Sequence, residues 1–518
     1  MKRFVYFLFF FTLFFLTENR NNVMVLYANE KFSICSLNLP PELNYKNLIE
    51  SIILEDINGD ELCDLIFFTG INIYIYEQDN IGGFSKCTKL SSDFPGAIDI
   101  GNVISGNNKE IIIMHKNGIS YFKKEDEKWN SLPIMLIKEN TIYDQTNNRN
   151  LEREYFALDL DEDSISELIL WGKKSIYIYY RENNKYKLMQ SIPYEYKKHV
   201  VSPGIVIANS PLKLRIGDAS SERVFKSEWP NNLKYIYFSI NKISNVYLIR
   251  DFNKDLRKDF IHIKPVEKHD SRKGKYIIYE YHVYFLNDKK QFSREPDIII
   301  SDEHGAWISP ICEDIDNDGF SDLLKIETKV KKGLVRKAKT TLLLYLANKD
   351  GSYLNEPSQS IETEYFPLLN NVLIDINGDR KKDLILIHPI SRGFSFGSIL
   401  NKFLQKGLDA EIWVLPFRES YGFSRKVMLK KVKINFMLGI PINLSGDFNG
   451  DGMKDLLLID GGRIKIFPLI DLNKGYSKSP QFNFKVKDLK NYIIEDINKN
   501  GKSDLIVFSD THLKIIYF

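Results

Sequence analysis

The chain has 518 residues, 43% of them apolar, 13% aromatic and 27% charged, with a formal net charge of +3. This is globular composition with extra aromatics, which excludes a disordered or collagen-like chain. Four cysteines are too few for a disulfide-built scaffold, and the length suggests about three domains unless a closed repeat fold runs as one unit.

At the N-terminus, Lys2 and Arg3 precede a nearly unbroken apolar run from Phe4 to Leu16. That run has the length of a signal-peptide core and is short for a bilayer span. Residues 1–28 are therefore read as a signal peptide cut after Ala28, and residues 29–518 as the mature chain. No other apolar stretch approaches transmembrane length, so no span is expected and the mature chain is placed as secreted, periplasmic or cell-surface. Cys35, Cys63, Cys87 and Cys312 then have two readings: two disulfides in one of three pairings, or four buried thiols.

An acidic pattern nine residues long recurs down the chain. It begins with Asp56, Asn58, Asp60 and Asp64. Next come Asp159, Asp161, Asp163 and Glu167, then Asp251, Asn253, Asp255 and Asp259. Asp314, Asp316, Asp318 and Asp322 follow, then Asp375, Asn377, Asp379 and Asp383. The last two copies are Asp447, Asn449, Asp451 and Asp455, and Asp496, Asn498, Asn500 and Asp504. The copies start 103, 92, 63, 61, 72 and 49 residues apart. The longest gap holds a degenerate copy, Asn102 to Glu110, which keeps the following apolar strand and loses the acids. That makes eight units averaging about 63 residues. The next-longest gap holds a segment read as an insertion, residues 197–245.

Each unit reads as four short strands. One leads into the acidic loop, a second leaves it (Leu65–Phe68, Leu456–Ile459), and a third follows (Ile73–Tyr76, Ile176–Tyr180). A fourth is expected to open near Gly83-Phe84, Gly422-Phe423 or Gly475-Tyr476. Four strands per repeat is the pattern of a propeller blade. The last unit stops after its third strand, at Leu513–Phe518, whereas Phe32–Ser36 is a strand without a unit. The expected fold is thus an all-β propeller of four-stranded antiparallel blades, eight in number with seven as the alternative. The N-terminal strand closes the last blade and leaves no free sheet edge.

Oxygen-bearing side chains at positions 1, 3, 5 and 9 of the pattern, with a backbone carbonyl at 7, suit a hard cation. Calcium accepts six to eight oxygens with loose geometry, whereas zinc would want Cys or His. An EF-hand begins alike but needs Glu at position 12; Phe67, Leu170, His262, Lys325, Leu386, Leu458 and Val507 stand there. The reading is up to seven calcium ions, one per intact loop.

Asp-x-Asp/Asn-x-Asp/Asn-Gly-x-x-Asp-Leu resembles the calcium loop of FG-GAP/VCBS repeats, which build the propeller of integrin α subunits and of many secreted bacterial proteins. The resemblance covers about residues 30–518 and implies a calcium-bearing adhesion or recognition propeller. The Phe-Gly and Gly-Ala-Pro signatures of that family are mostly missing, the copy at 102–110 lacks the ligands, and there is no Arg-Gly-Asp sequence.

The ligand positions hold 22 carboxylates, which leaves 46 acidic against 71 basic residues elsewhere. Seven calcium ions would bring the net charge to about +17, or about +15 without residues 1–28, and a basic surface steers toward polyanions. Long insertions fall in second-to-third hairpins of consecutive units: Lys264–Lys275, a stretch carrying Lys329, Lys331, Lys332, Arg336, Lys337 and Lys339, and Ser391–Asp409. The six cations are candidate ligand-binding residues for an extracellular protein or anionic glycan; their alternative is a solvated hairpin. Nucleic acid is not expected for a secreted chain. No catalytic motif stands out: Gly393-Phe-Ser395-Phe-Gly397 matches a nucleophile-elbow string but lacks the strand–turn–helix context. The functional expectation is an adhesion or recognition module. A calcium-dependent polysaccharide lyase, whose site would be drawn from several loops, is the alternative.

Overall fold

The computed structural model describes residues 27–518 apart from 30–31, 38, 44–50, 81, 85, 105–107, 127, 146–149, 173–174, 194–233, 238–245, 271–273, 303–310, 330–338, 350–351, 355, 364–365, 368–371, 390–407, 420–421, 435–441, 461, 488, 490 and 510–512. The strands form eight sheets of four or five strands, plus three two-stranded hairpins. Blade 1 runs outward through Ile52–Glu55, Asp64–Thr69, Asn72–Glu77 and Lys86–Ser91. Blades 2 to 7 repeat this order, with their second strands starting at Glu110, Glu167, Asp259, Asp322, Asp383 and Leu456. Blade 8 is made of Asn491–Glu495, Asp504–Phe508 and Leu513–Tyr517, and its outer strand is Phe32–Leu37 from the other end of the chain. Cys35 pairs with Ile515 and Ser33 with Tyr517. The ring is therefore closed as the sequence predicts, with eight blades.

The continuous apolar runs follow from this architecture. A strand alternates its side chains between two faces, and here both faces are covered by neighbouring blades. In the second strand of blade 1, Leu65 and Phe67 pack with Ile506, Phe508 and Ile515 of blade 8. The intervening Ile66 and Phe68 pack with Ile98, Ile111 and Ile113 of blade 2. The same division recurs in blade 7, where Leu456 and Leu458 join Ile412 and Val414 of blade 6, while Leu457 and Ile459 join Leu505 and Val507 of blade 8. Phe67, Phe68 and Tyr76 are among the largest fully buried side chains, and burying each is worth roughly 1.5–3 kcal/mol.

Some expectations are refined. The outer strands open near the Gly-aromatic pairs, a few residues beyond them. Gly422-Phe423 pairs with Phe417-Arg418, and Gly475-Tyr476 with Leu469–Asp471, in small hairpins of their own. The outer strands start later, at Lys86, Val427 and Phe482. Tyr27–Asn29 adds a short strand beside Phe32–Ile34, so a cut after Ala28 would fall within it; residues 1–26 lie outside the described residues. Within the 197–245 segment, Lys234–Tyr237 extends blade 4 by pairing with Val246–Arg250. All four cysteines are free thiols, and burial pushes Cys35 and Cys63 up to about 12. Among the described residues no helix is long and apolar enough to cross a membrane.

Candidate metal centres

All seven intact loops share one backbone. Positions 4 and 6 are left-handed in every copy, from Gly59 (φ 78°) and Glu61 (φ 69°) in blade 1 to Lys499 (φ 54°) and Gly501 (φ 84°) in blade 8. Glu162, Ser164, Lys254, Leu256, Asn317 and Arg380 adopt this conformation without being glycine. Such residues carry strain of about 1–2 kcal/mol, which the surrounding structure must offset.

The offset comes from side-chain oxygens. In blade 6, Asp375 accepts from the N–H groups of Gly378 (2.8 Å), Asp379 (3.1 Å) and Arg380 (2.8 Å). Asp56 and Asp447 do the same in blades 1 and 7. The position-5 carboxylate accepts the N–H of position 7, as Asp60 does from Leu62 at 2.9 Å. The two left-handed residues thus curl the backbone around the position-1 carboxylate, in the manner of a tight oxygen-lined turn.

Position 9 begins the second strand, or in blade 7 immediately precedes it, and is buried. One oxygen of Asp504 accepts from Ile497 N–H (3.0 Å) at position 2, and the other accepts from Phe518 N–H (3.0 Å) beyond the third strand. Asp64, Asp259, Asp322, Asp383 and Asp455 make the same pair of bonds. Burial pushes all six up to about 7, against the pull of those amide donors. Glu167 is pushed up to about 8. The degenerate loop keeps the first of these two bonds: Glu110 accepts from Val103 N–H at 2.9 Å, as Glu167 does from Leu160 N–H at 2.8 Å. Position 9 therefore clasps the hairpin in all eight blades, a structural role the ligand pattern alone did not reveal.

Two loops have carboxylates at positions 1, 3, 5 and 9 alike. One oxygen each of Asp159, Asp161 and Glu167 lies within 4.8 Å of the others, and so do those of Asp314, Asp316 and Asp322. Each triad could hold a metal ion. Buried oxygens of Asp159 and Asp161 have no hydrogen-bond partner, and an all-oxygen, anionic set of this kind fits a hard cation.

Like charges at positions 3 and 5 are handled in three ways. In four loops position 3 is Asn and its amide donates to the position-5 carboxylate, as Asn58 does to Asp60 (3.0 Å) and Asn449 to Asp451 (2.9 Å). In blade 5, burial and then Asp318 hold the Asp316 carboxyl above its ordinary range. In blade 3, the ammonium of Lys290, from the third-to-outer hairpin of blade 4, pairs with Asp161 and lies 3.5 Å from Asp163. Lys290 brings a positive charge to the acids of that loop. No local spacing could have revealed it, because it belongs to the neighbouring repeat.

The loops are also joined to one another. Position 8 of each loop donates to position 1 or 2 of the loop before it. The backbone links are Cys63 to Ile497 (3.1 Å), Lys109 to Ile57 (3.0 Å), Ser166 to Asn102 (2.8 Å) and Lys258 to Leu160 (2.7 Å). Lys382 to Ile315 (2.8 Å), Lys454 to Ile376 (2.9 Å) and Ser503 to Asp447 (2.6 Å) continue the series. In blade 5 the Ser321 hydroxyl donates to the Asp251 carbonyl at 3.2 Å. Hydroxyls of Tyr186, Tyr353 and Tyr476 donate to the position-8 carbonyls of Ser166, Ser321 and Lys454.

On the opposite face, the long hairpins are formed by Asp259–Asp270 with Gly274–Tyr284, and by Asp322–Lys329 with Lys339–Tyr345. Lys329 and Lys339 are directly paired. Lys331, Lys332, Arg336 and Lys337 lie outside the described residues, as does Ser395.

No family model and no curated protein matches the chain. Similar solved structures include an Agrocybe aegerita lectin that specifically recognises non-reducing terminal N-acetylglucosamine. It is 12% identical, with a TM-score of 0.39, over 89% of this chain and 100% of the lectin. The V. cholerae biofilm matrix protein Bap1 is 11% identical, with a TM-score of 0.28, over 96% of this chain and 83% of its own. Both likenesses are distant in sequence and in superposition.

Proposed function

We propose that the chain is a secreted, calcium-stapled propeller of the FG-GAP/VCBS type that recognises an extracellular protein or an anionic glycan. The observation that carries the metal part is the identical curl of seven loops, which gathers the carboxylates of positions 1, 3 and 9 in blades 3 and 5 to within 4.8 Å. A cation bound there neutralises the like charges and stabilises the folded state alone, so each loop becomes a staple between its inner and second strands. Six further oxygen sets, from Asp56, Asp251, Asp314, Asp375, Asp447 and Asp496, accompany that of Asp159, for up to seven ions.

Recognition is assigned to the face opposite the staples. There the hairpins of blades 4 and 5 project, and the candidate cations Lys329, Lys331, Lys332, Arg336, Lys337 and Lys339 are concentrated in blade 5. A rigid ring presenting basic hairpins is suited to a polyanion. The test is retention of the protein on a panel of acidic polysaccharides, in calcium, across a salt series. Salt-sensitive retention that falls when Lys331, Lys332, Arg336 and Lys337 are neutralised supports a glycan ligand. Retention on none removes it and leaves a protein partner.

A further inference from the structure

Blade 2 carries the loop without acids, and a cavity of about 350 Å3 opens beside it. This is within the range of small-molecule sites. Ile104 lines it from position 3 of the loop, where the intact loops place Asn or Asp. Tyr121 and Leu136 line it from the third and outer strands of blade 2, and Arg181, Asn184 and Tyr186 from the third-to-outer hairpin of blade 3.

The charge balance here differs from that one blade further on. Blade 4 sends Lys290 from its third-to-outer hairpin into the acids of the blade-3 loop. Blade 3 sends Arg181 toward a loop that has no such acids. Among the described residues Arg181 makes one hydrogen bond, from Nη2 to Asn184 Oδ1 at 3.1 Å, which leaves most of its five donors unused. Glu110 attracts Arg181, but it is buried, is bonded to Val103 N–H, and is held above the ordinary carboxylate range by burial. Tyr186 is fixed as a wall, because its hydroxyl donates to Ser166 O at 2.7 Å.

We infer that this cavity binds a small carboxylate, gripped by the guanidinium of Arg181 with its carbon frame against Tyr121, Tyr186 and Leu136. Guanidinium and carboxylate pair through two parallel charge-assisted hydrogen bonds. The carboxylate belongs either to a sugar acid or to a free organic acid. The site stands on the fold alone; only an extracellular source of the ligand rests on the proposed function.

The test is titration calorimetry of the full chain in calcium with D-glucuronate, benzoate and D-glucose, repeated with Arg181→Gln. Saturable binding of glucuronate alone assigns a sugar acid; binding of both acids assigns a broader organic-acid site. Either is expected to weaken at least tenfold in R181Q, whose melting temperature in calcium stays at the wild-type value because Arg181 is half-buried and outside the core. No binding of either acid, glucose binding as tightly as glucuronate, or undiminished binding by R181Q overturns the inference. A calcium-dependent melt without carboxylate binding sinks this site and leaves the staples. Carboxylate binding without calcium dependence does the reverse.

Discussion

The N–H of Cys63 donates to the carbonyl of Ile497 across 3.1 Å, joining the first acidic loop to the last. It is the closing link of a belt in which every loop is bonded to the one before it. Together with the Phe32–Leu37 strand in blade 8, it closes the ring at two radii: at the loops and at the outer sheet edge.

The position-9 clasp makes a prediction that does not depend on metal. Asp504→Ala removes the acceptor of two buried amides, those of Ile497 and Phe518. Unsatisfied buried donors cost about 1–3 kcal/mol each, so the variant is expected to lose ~2–6 kcal/mol in EDTA as well as in calcium. Asp60→Asn, at an exposed ligand position, is expected to change the EDTA value by less than ~1 kcal/mol. Urea unfolding of the two variants measures both.

The pH dependence follows from the same six carboxylates. Their folded values of about 7 lie above the ordinary value of 3.8. The metal-free folded state therefore holds protons that the unfolded chain has released. Stability from these groups is fully present below about pH 4 and is lost as pH rises through about 7. In EDTA the melting temperature is expected to fall between pH 5.5 and pH 8; in saturating calcium, which binds the ionised loop, that fall should shrink or vanish. Scanning calorimetry at the two pH values, with and without calcium, checks it.

Lys290→Met separates the two cations that compete for blade 3. Without the ammonium, Asp161 and Asp163 lose their paired charge, so the variant is expected to melt lower than wild type in EDTA. In calcium the difference should close, and the weakest calcium site should tighten about tenfold or more. Calcium titration of both proteins reads this directly.

Much of the fold was legible because it repeats in the sequence. Asp56–Asp64 and its six relatives marked the units, and Phe32–Ser36 with the missing fourth strand after Leu513–Phe518 marked the closure. What lay between repeats was not legible. Lys290 meets Asp161, and Arg181 faces Ile104, through packing of adjacent blades rather than through any spacing along the chain. Glu110 was missed as a clasp because its loop has lost the acids that mark the others, while its bond to Val103 N–H needs only position 9. In blades 6 and 7 the outer strand starts a few residues beyond its Gly-aromatic pair because that pair belongs to a small hairpin of its own.

The most direct test of the metal staples is the melting temperature of the mature chain in saturating calcium and in EDTA, with bound calcium counted by mass spectrometry after dialysis. A site at 100 times its Kd stabilises by about 2.7 kcal/mol, so several filled loops predict a drop in EDTA of more than ~5 °C, with several calcium ions per chain. An unchanged melt, or a chain that retains no calcium, would contradict the assignment of the seven loops as calcium staples.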